Sequence, residues 1–160
     1  MADNINREET VRKLAALIRD VKVAMLTTTD LRGWLRSRPM ITQEAEFDGD
    51  LWFLSSKNAA KAADIRDRRQ VNVSFSCPGQ NVFVSISGVA TLVDDRGRIA
   101  ALWNRSYEPW FPSGPGDPDL VLIKVEAEEA DCWQQNQPTR LPALRRPTPG
   151  FRDVEPDAGI

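Results

Sequence analysis

Histidine is absent from this chain. That removes the side chain most often used as a general base and as a metal ligand. Cysteine is scarce: Cys77 and Cys132 are far apart and form no metal-like spacing. A catalytic zinc site and a serine–histidine triad are therefore not expected, and the chemistry is expected to belong to a bound cofactor. No apolar run approaches the ~18 residues that a membrane-spanning helix needs. Neither charge sign dominates, since the net charge is -2, so no strong field favours nucleic acid or an anionic membrane. The N-terminal stretch MADNINREET lacks the apolar core of a signal peptide, which sets the expectation of a reducing, cytoplasmic setting.

What is present is an ordinary globular composition. The 160 residues, 41% hydrophobic and 28% charged, suit one domain with a real core. Residues 7–20 predict an amphipathic helix, with Val11, Leu14, Leu17 and Ile18 on one face, Asn6 as cap and Glu9 completing a capping box. Residues 22–29 and 34–43 predict strands around a turn at 30–33. Phe47 to Asp50 carries the Asp-Gly signal of a tight hairpin into a third strand, 51–55, so the first half reads as a helix followed by a meander.

Residues 57–69 are alanine-rich and predict a helix capped by Ser55 or Ser56. Residues 70–76 alternate strictly, with Val71, Val73 and Phe75 on one face, and predict a half-buried strand. A long strand follows at 81–94, with Gly88 as a bulge or bend. A short helix is expected at 96–106. Residues 107–119, YEPWFPSGPGDPD, hold four prolines and three aromatics; a loop so stiff and so aromatic is suited to cover something. A strand at 120–126 is extended by 130–134. The tally is about seven mostly antiparallel strands and three helices, which predicts a mainly β, α+β fold: a closed or half-open barrel with peripheral helices.

Two features bear on function. Arg36 and Arg38, two apart on one strand, share a face and can grip a phosphate or form solvated ion pairs; the pattern leaves both open. Ser55, Ser56 and Lys61 lie at a strand-to-helix junction, where hydroxyls, an ammonium and free N–H groups suit an anion, or where the serines simply cap.

The order of motifs is more specific. SRPM, then LWFLSS with Lys61 as the fifth residue beyond it, then VSISGVATLV, then WFPSGPGDPDLVLIKV ahead of Trp133, together resemble the pyridoxamine 5′-phosphate oxidase-like FMN-binding split barrels, in particular their bacterial general stress protein branch. The resemblance spans about residues 7–134. It implies a split β-barrel of six to eight strands and a homodimer with two FMN molecules in clefts between subunits. Residues 1–134 would then be the FMN-binding domain. Residues 135–160, rich in proline and arginine, are expected as an extended or disordered tail.

By the same resemblance, Arg38 faces the flavin phosphate and ribityl chain, Ser55 supplies a nearby hydroxyl and Lys61 is the phosphate lysine. Ala60 stands where the oxidases carry an arginine, a loss for which Arg36 is placed to compensate. Trp133 matches a tryptophan that packs on FMN. The expected cofactor-binding set is Arg36, Arg38, Pro39, Met40, Ser55, Ser56, Lys61, Trp110 and Trp133, with no metal and no assigned catalytic residue. Leu141 and Pro142 follow Arg140 where the oxidases have a histidine, and their pyridoxal phosphate set is not recognisable, so vitamin B6 oxidation is not expected. The expected function is a flavin-dependent oxidoreductase linked to stress, acting on an unidentified small-molecule redox partner. A non-catalytic flavin-binding module and a deazaflavin-dependent reductase are the alternatives.

Overall fold

The computed structural model describes residues 2–141 and 144, without the side chains of 2–5. Its elements in order are α1 (Ala2–Ile18), β1 (Val23–Thr29), β2 (Leu35–Ile41), β3 (Asp50–Ser56), α2 (Ala60–Asp67), β4 (Gln70–Cys77), β5 (Val82–Val93), α3 (Arg96–Leu102), β6 (Leu120–Gln134) and β7 (Gln137–Arg140). Single 3-10 turns fall at Pro78–Gln80 and Arg105–Tyr107. This is the expected α+β split barrel. Seven antiparallel strands run in the order β2-β1-β4-β5-β6-β3, with β7 added on β6.

The β1–β2 hairpin is set by its turn. Gly33 adopts φ 87°, and the Asp30 carboxylate accepts from the Arg32 and Trp34 N–H groups at 2.9 and 3.0 Å. The expected hairpin between β2 and β3, by contrast, does not form. After Asp48 and Gly49 the chain crosses to the far edge, where β3 pairs with β6 along its whole length. A local turn signal bends the chain but does not choose its partner; paired with β6, the apolar residues of β3, Leu51, Phe53 and Leu54, are all buried. The barrel is therefore split between β2 and β3. The seam is spanned nearby by the Gln43 side chain, which accepts from the Trp52 N–H at 2.7 Å.

Gly88 marks a bulge, as its position in the long strand predicts: the β5–β6 register shifts between Ser87 and Gly88. A Cβ there would lie 2.3 Å from the Glu126 carbonyl oxygen, so only glycine fits. The bulge lets the 15-residue β6 curve without breaking.

Three end points differ from the sequence reading. The first helix begins at Ala2, so Asn6 lies within it; its carbonyl accepts from the Thr10 hydroxyl at 2.7 Å. The N-cap of α2 is Ala59, with no side-chain cap, rather than Ser55 or Ser56. The third helix stops at Leu102, and Asn104 caps a separate 3-10 turn. The region expected as tail also begins with structure. Gln135 and Asn136, both at positive φ, turn β6 into β7, and Leu141 and Leu144 are buried in the core. Residues 145–160 lie outside the described residues.

The main core packs Leu14, Ile18, Leu26, Val73, Ile86 and Ile123 beneath α1. A smaller one gathers Leu54, Ile99, Tyr107, Leu120 and Leu122 beneath α3 and the aromatic loop. No described helix is long and apolar enough to cross a membrane.

Candidate flavin-binding cleft

The split between β2 and β3 opens into a cleft of about 550 Å³. One wall is the β2 run Arg38, Pro39, Met40 and Ile41. Leu54 of β3 and Lys61 of α2 line it too, and Tyr107, Trp110 and Phe111 of the Pro-rich loop close it. Its surroundings are thus two cations and a set of apolar and aromatic side chains, with no carboxylate and no thiol among the lining residues.

Arg38 is held rigidly. It pairs across β1 with Leu26, so its side chain shares the inward face with buried Leu26 and Thr28. Its Nη1 donates to the Thr28 hydroxyl at 2.7 Å and to the Leu26 carbonyl at 3.3 Å. Its Nη2 lies 3.7 Å from the buried Asp64 carboxylate, which also accepts from the Thr28 hydroxyl at 2.8 Å. Burial pulls the Arg38 pKa down, Asp64 opposes this, and Arg36 adds to it. Even so, a guanidinium keeps its charge.

Lys61 differs. It sits in the first turn of α2, and its ammonium has no ion-pair or hydrogen-bond partner among the described residues. Burial, then the charge of Arg38, pushes its pKa below the usual lysine value. A half-buried cation beside a second cation is a place where an anion is stabilising. The absence of a side-chain cap on α2 leaves first-turn N–H groups at the same end of the helix.

The aromatic wall is clamped from outside the cleft. Arg96 donates to the Asp117 carbonyl at 2.8 Å and pairs with Asp94 at 2.7 Å. Lys57 meets the other Asp94 oxygen at 3.0 Å. Asp94, in the loop before α3, thereby links the start of α3 and the residue after β3, and Arg96 carries the link on to the Pro-rich segment.

Of the residues expected from sequence, Arg38, Pro39, Met40, Lys61 and Trp110 are brought together here. Four others lie elsewhere in the chain. Arg36 is drawn to the turn, its Nε 3.2 Å from Asp30, so the solvated ion pair is what it forms. Ser55 is fully buried and donates to the Ser56 carbonyl at 3.1 Å. The Ser56 hydroxyl accepts from the Asn58 N–H at 3.3 Å. Trp133 lies on β6 between Phe83 of β5 and Pro138 of β7. Thr28, Asp64 and Tyr107 were not singled out by sequence. Asp64 in particular reads as one more charge in a solvated helix until α2 docks on β1.

Fold and cleft together define a split-barrel protein whose cleft carries two cations beside apolar and aromatic side chains. The chain belongs to the family described as pyridoxamine 5′-phosphate oxidase like, whose model matches residues 9–144. It is 29% identical over 129 residues to Protein bli-3 of Neurospora crassa, covering 74% of this chain; the chain spans 62% of that relative's length. Among solved structures, it is similar to the general stress FMN/FAD binding protein of Xanthomonas citri, at 27% identity and TM-score 0.67, covering 92% of this chain and 99% of that one. It shares its fold with a Clostridium acetobutylicum protein related to general stress protein 26, at 16% identity and TM-score 0.72, covering 83% and 94%.

Proposed function

We propose that this protein binds FMN in the cleft, as a homodimeric cytoplasmic oxidoreductase with a part in stress responses. The observation that carries the reading is the partnerless Lys61 beside Arg38 at the mouth of an apolar, aromatic cleft. In this reading Arg38 and Lys61 hold the phosphate, Arg38 bidentately and already oriented by Thr28 and Asp64. Pro39, Met40 and Trp110 flank the ring. A bound flavin would supply electron and hydride transfer, which requires no histidine from the protein. The named flavin-binding relative and the general stress proteins support the cofactor and the setting.

The outer face of β1 and β2 supports the dimer in this reading. Val23, Met25 and Leu35 are exposed there, with Trp34 beside them in the turn. So much apolar surface next to the cleft suits a second copy of the chain. Residues distant from the cleft of one protomer, Trp133 among them, can then complete the cleft of the other.

Titration of purified protein with FMN, followed by flavin fluorescence, tests the reading. Micromolar or tighter binding is expected. Arg38→Ala with Lys61→Ala should weaken it by roughly 100-fold, from two charged hydrogen-bonding partners. No binding by wild type sinks the proposal, and an unaffected double variant misplaces the phosphate.

A non-catalytic flavin carrier is the second reading. It is favoured by a cleft whose lining contains one hydroxyl, that of Tyr107, and no carboxylate. Anaerobic reduction of the bound flavin by NADH or NADPH, with turnover of an acceptor, separates enzyme from carrier.

A further inference from the structure

Tyr107 is the only tyrosine in the chain. It lines the cleft beside Trp110 and Phe111, yet only 2% of it is exposed. Its position is fixed by its backbone. Its N–H donates to the Asn104 carbonyl at 3.2 Å, and its carbonyl accepts from the Trp110 and Phe111 N–H groups at 3.1 and 2.9 Å. Its ring packs on Trp103, with centroids 5.7 Å apart. The hydroxyl stands apart from this: it has no hydrogen-bond partner among the described residues. A buried hydroxyl with no partner is destabilising, and folded proteins rarely keep one without a use. Burial, then the nearby Glu44 carboxylate, pushes its pKa above the ordinary 10.0. The group therefore stays protonated, and is available as a donor, at any working pH.

Resting on the flavin reading above, we propose that the Tyr107 hydroxyl donates a hydrogen bond to an acceptor atom of the ligand's ring system, independently of the phosphate grip. The isoalloxazine ring has the chemistry for it, since its carbonyl oxygens and unprotonated ring nitrogens are all acceptors. The rest of the cleft lining offers that ring apolar side chains, two cations and the indole N–H of the largely exposed Trp110, so Tyr107 is the buried neutral donor among them. Tyr107 would thus be the ring-recognising residue, and Lys61 the phosphate-recognising one.

The two roles separate experimentally. Tyr107→Phe should weaken FMN and riboflavin by the same factor, about tenfold for one hydrogen bond, and should shift the visible absorption of the bound flavin. Lys61→Ala should weaken FMN and leave riboflavin unchanged. Flavin-free Tyr107→Phe should unfold at a temperature no lower than wild type, because it removes an unsatisfied buried group; a hydroxyl with a purely structural role would lose stability instead. In wild type, 3-fluorotyrosine labels Tyr107 alone, and its single fluorine resonance should move on addition of FMN. Equal affinities of Tyr107→Phe and wild type, or a fluorine resonance indifferent to FMN, would overturn this role while leaving the flavin site standing. Failure of wild type to bind either flavin would overturn both.

Discussion

Asp64 of α2 and Arg38 of β2 meet inside the protein, Oδ2 to Nη2 at 3.7 Å, with the Thr28 hydroxyl bonded to both. Asp64 does not line the cleft; it braces the arginine that does. The pair partly neutralises Arg38, which leaves Lys61 as the less compensated of the two cations that line the cleft.

Asp64→Ala should therefore destabilise the fold. It leaves the Thr28 hydroxyl and one side of the Arg38 guanidinium without an acceptor in a buried place. The expected loss is about 2 kcal/mol, read as a lower urea midpoint at unchanged slope. Asp64→Asn keeps an acceptor for Thr28 and should lose less. A midpoint equal to wild type for Asp64→Ala would show that the brace contributes nothing.

The β1–β2 turn predicts an acid-dependent contribution. Burial alone would raise the Asp30 carboxyl, but hydrogen bonds from the Trp34 N–H, the Arg36 guanidinium and the Arg32 N–H, with the charge of Arg32, outweigh it and bring the pKa from 3.8 to about 2. The folded form thus holds its proton less tightly than the unfolded chain. The stabilisation is complete above pH 3.8 and is lost as the pH falls towards 2. Chemical denaturation at a series of pH values should show Asp30→Asn losing less stability than wild type over that interval. Identical pH profiles would contradict the assignment.

Leu144 closes the barrel from a segment that composition marks as tail. It is 2% exposed, and its carbonyl accepts from Arg7 Nε of α1 at 3.1 Å. Leu144→Ala should cost about 3 kcal/mol, the usual range for an emptied core site. Thermal unfolding of the purified variant measures it, and a change within error would mean that this side chain is not part of the core.

The proposed dimer can be tested on the same outer face. Leu35 is 74% exposed on one protomer, so Leu35→Asp leaves the monomer intact and places two charges in the interface. Sedimentation should show wild type as a dimer and the variant shifted towards monomer. A wild-type monomer at micromolar concentration would remove the dimer from the proposal.

Much of this was legible in the amino-acid order. The alternation of Val71, Val73 and Phe75 marks β4, all three being buried. Gly88 declares a bulge because a long β-branched run has no other use for a glycine. Arg38, Pro39, Met40 and Lys61 belong to motifs whose order is informative even before folding. Other features had no local sign. Gln135 and Asn136 turn a hairpin without glycine, and the low content of apolar residues around them reads as tail. Asp48-Gly49 reads as a hairpin, yet the strands on either side of it end at opposite ends of the sheet path.

The reason is range. Periodicity, turn chemistry and side-chain type act over a few residues, so the sequence alone determined the strand and helix content, the bulge, the exclusion of histidine and zinc chemistry, and the basic residues available for an anion. Pairing is decided by which apolar faces can be buried together, and that depends on the whole chain. Only the tertiary structure could move β3 to the far edge, open the split that becomes the cleft, sink Asp64 behind Arg38 while Arg36 turns to Asp30, and bury Tyr107 with its hydroxyl unmatched.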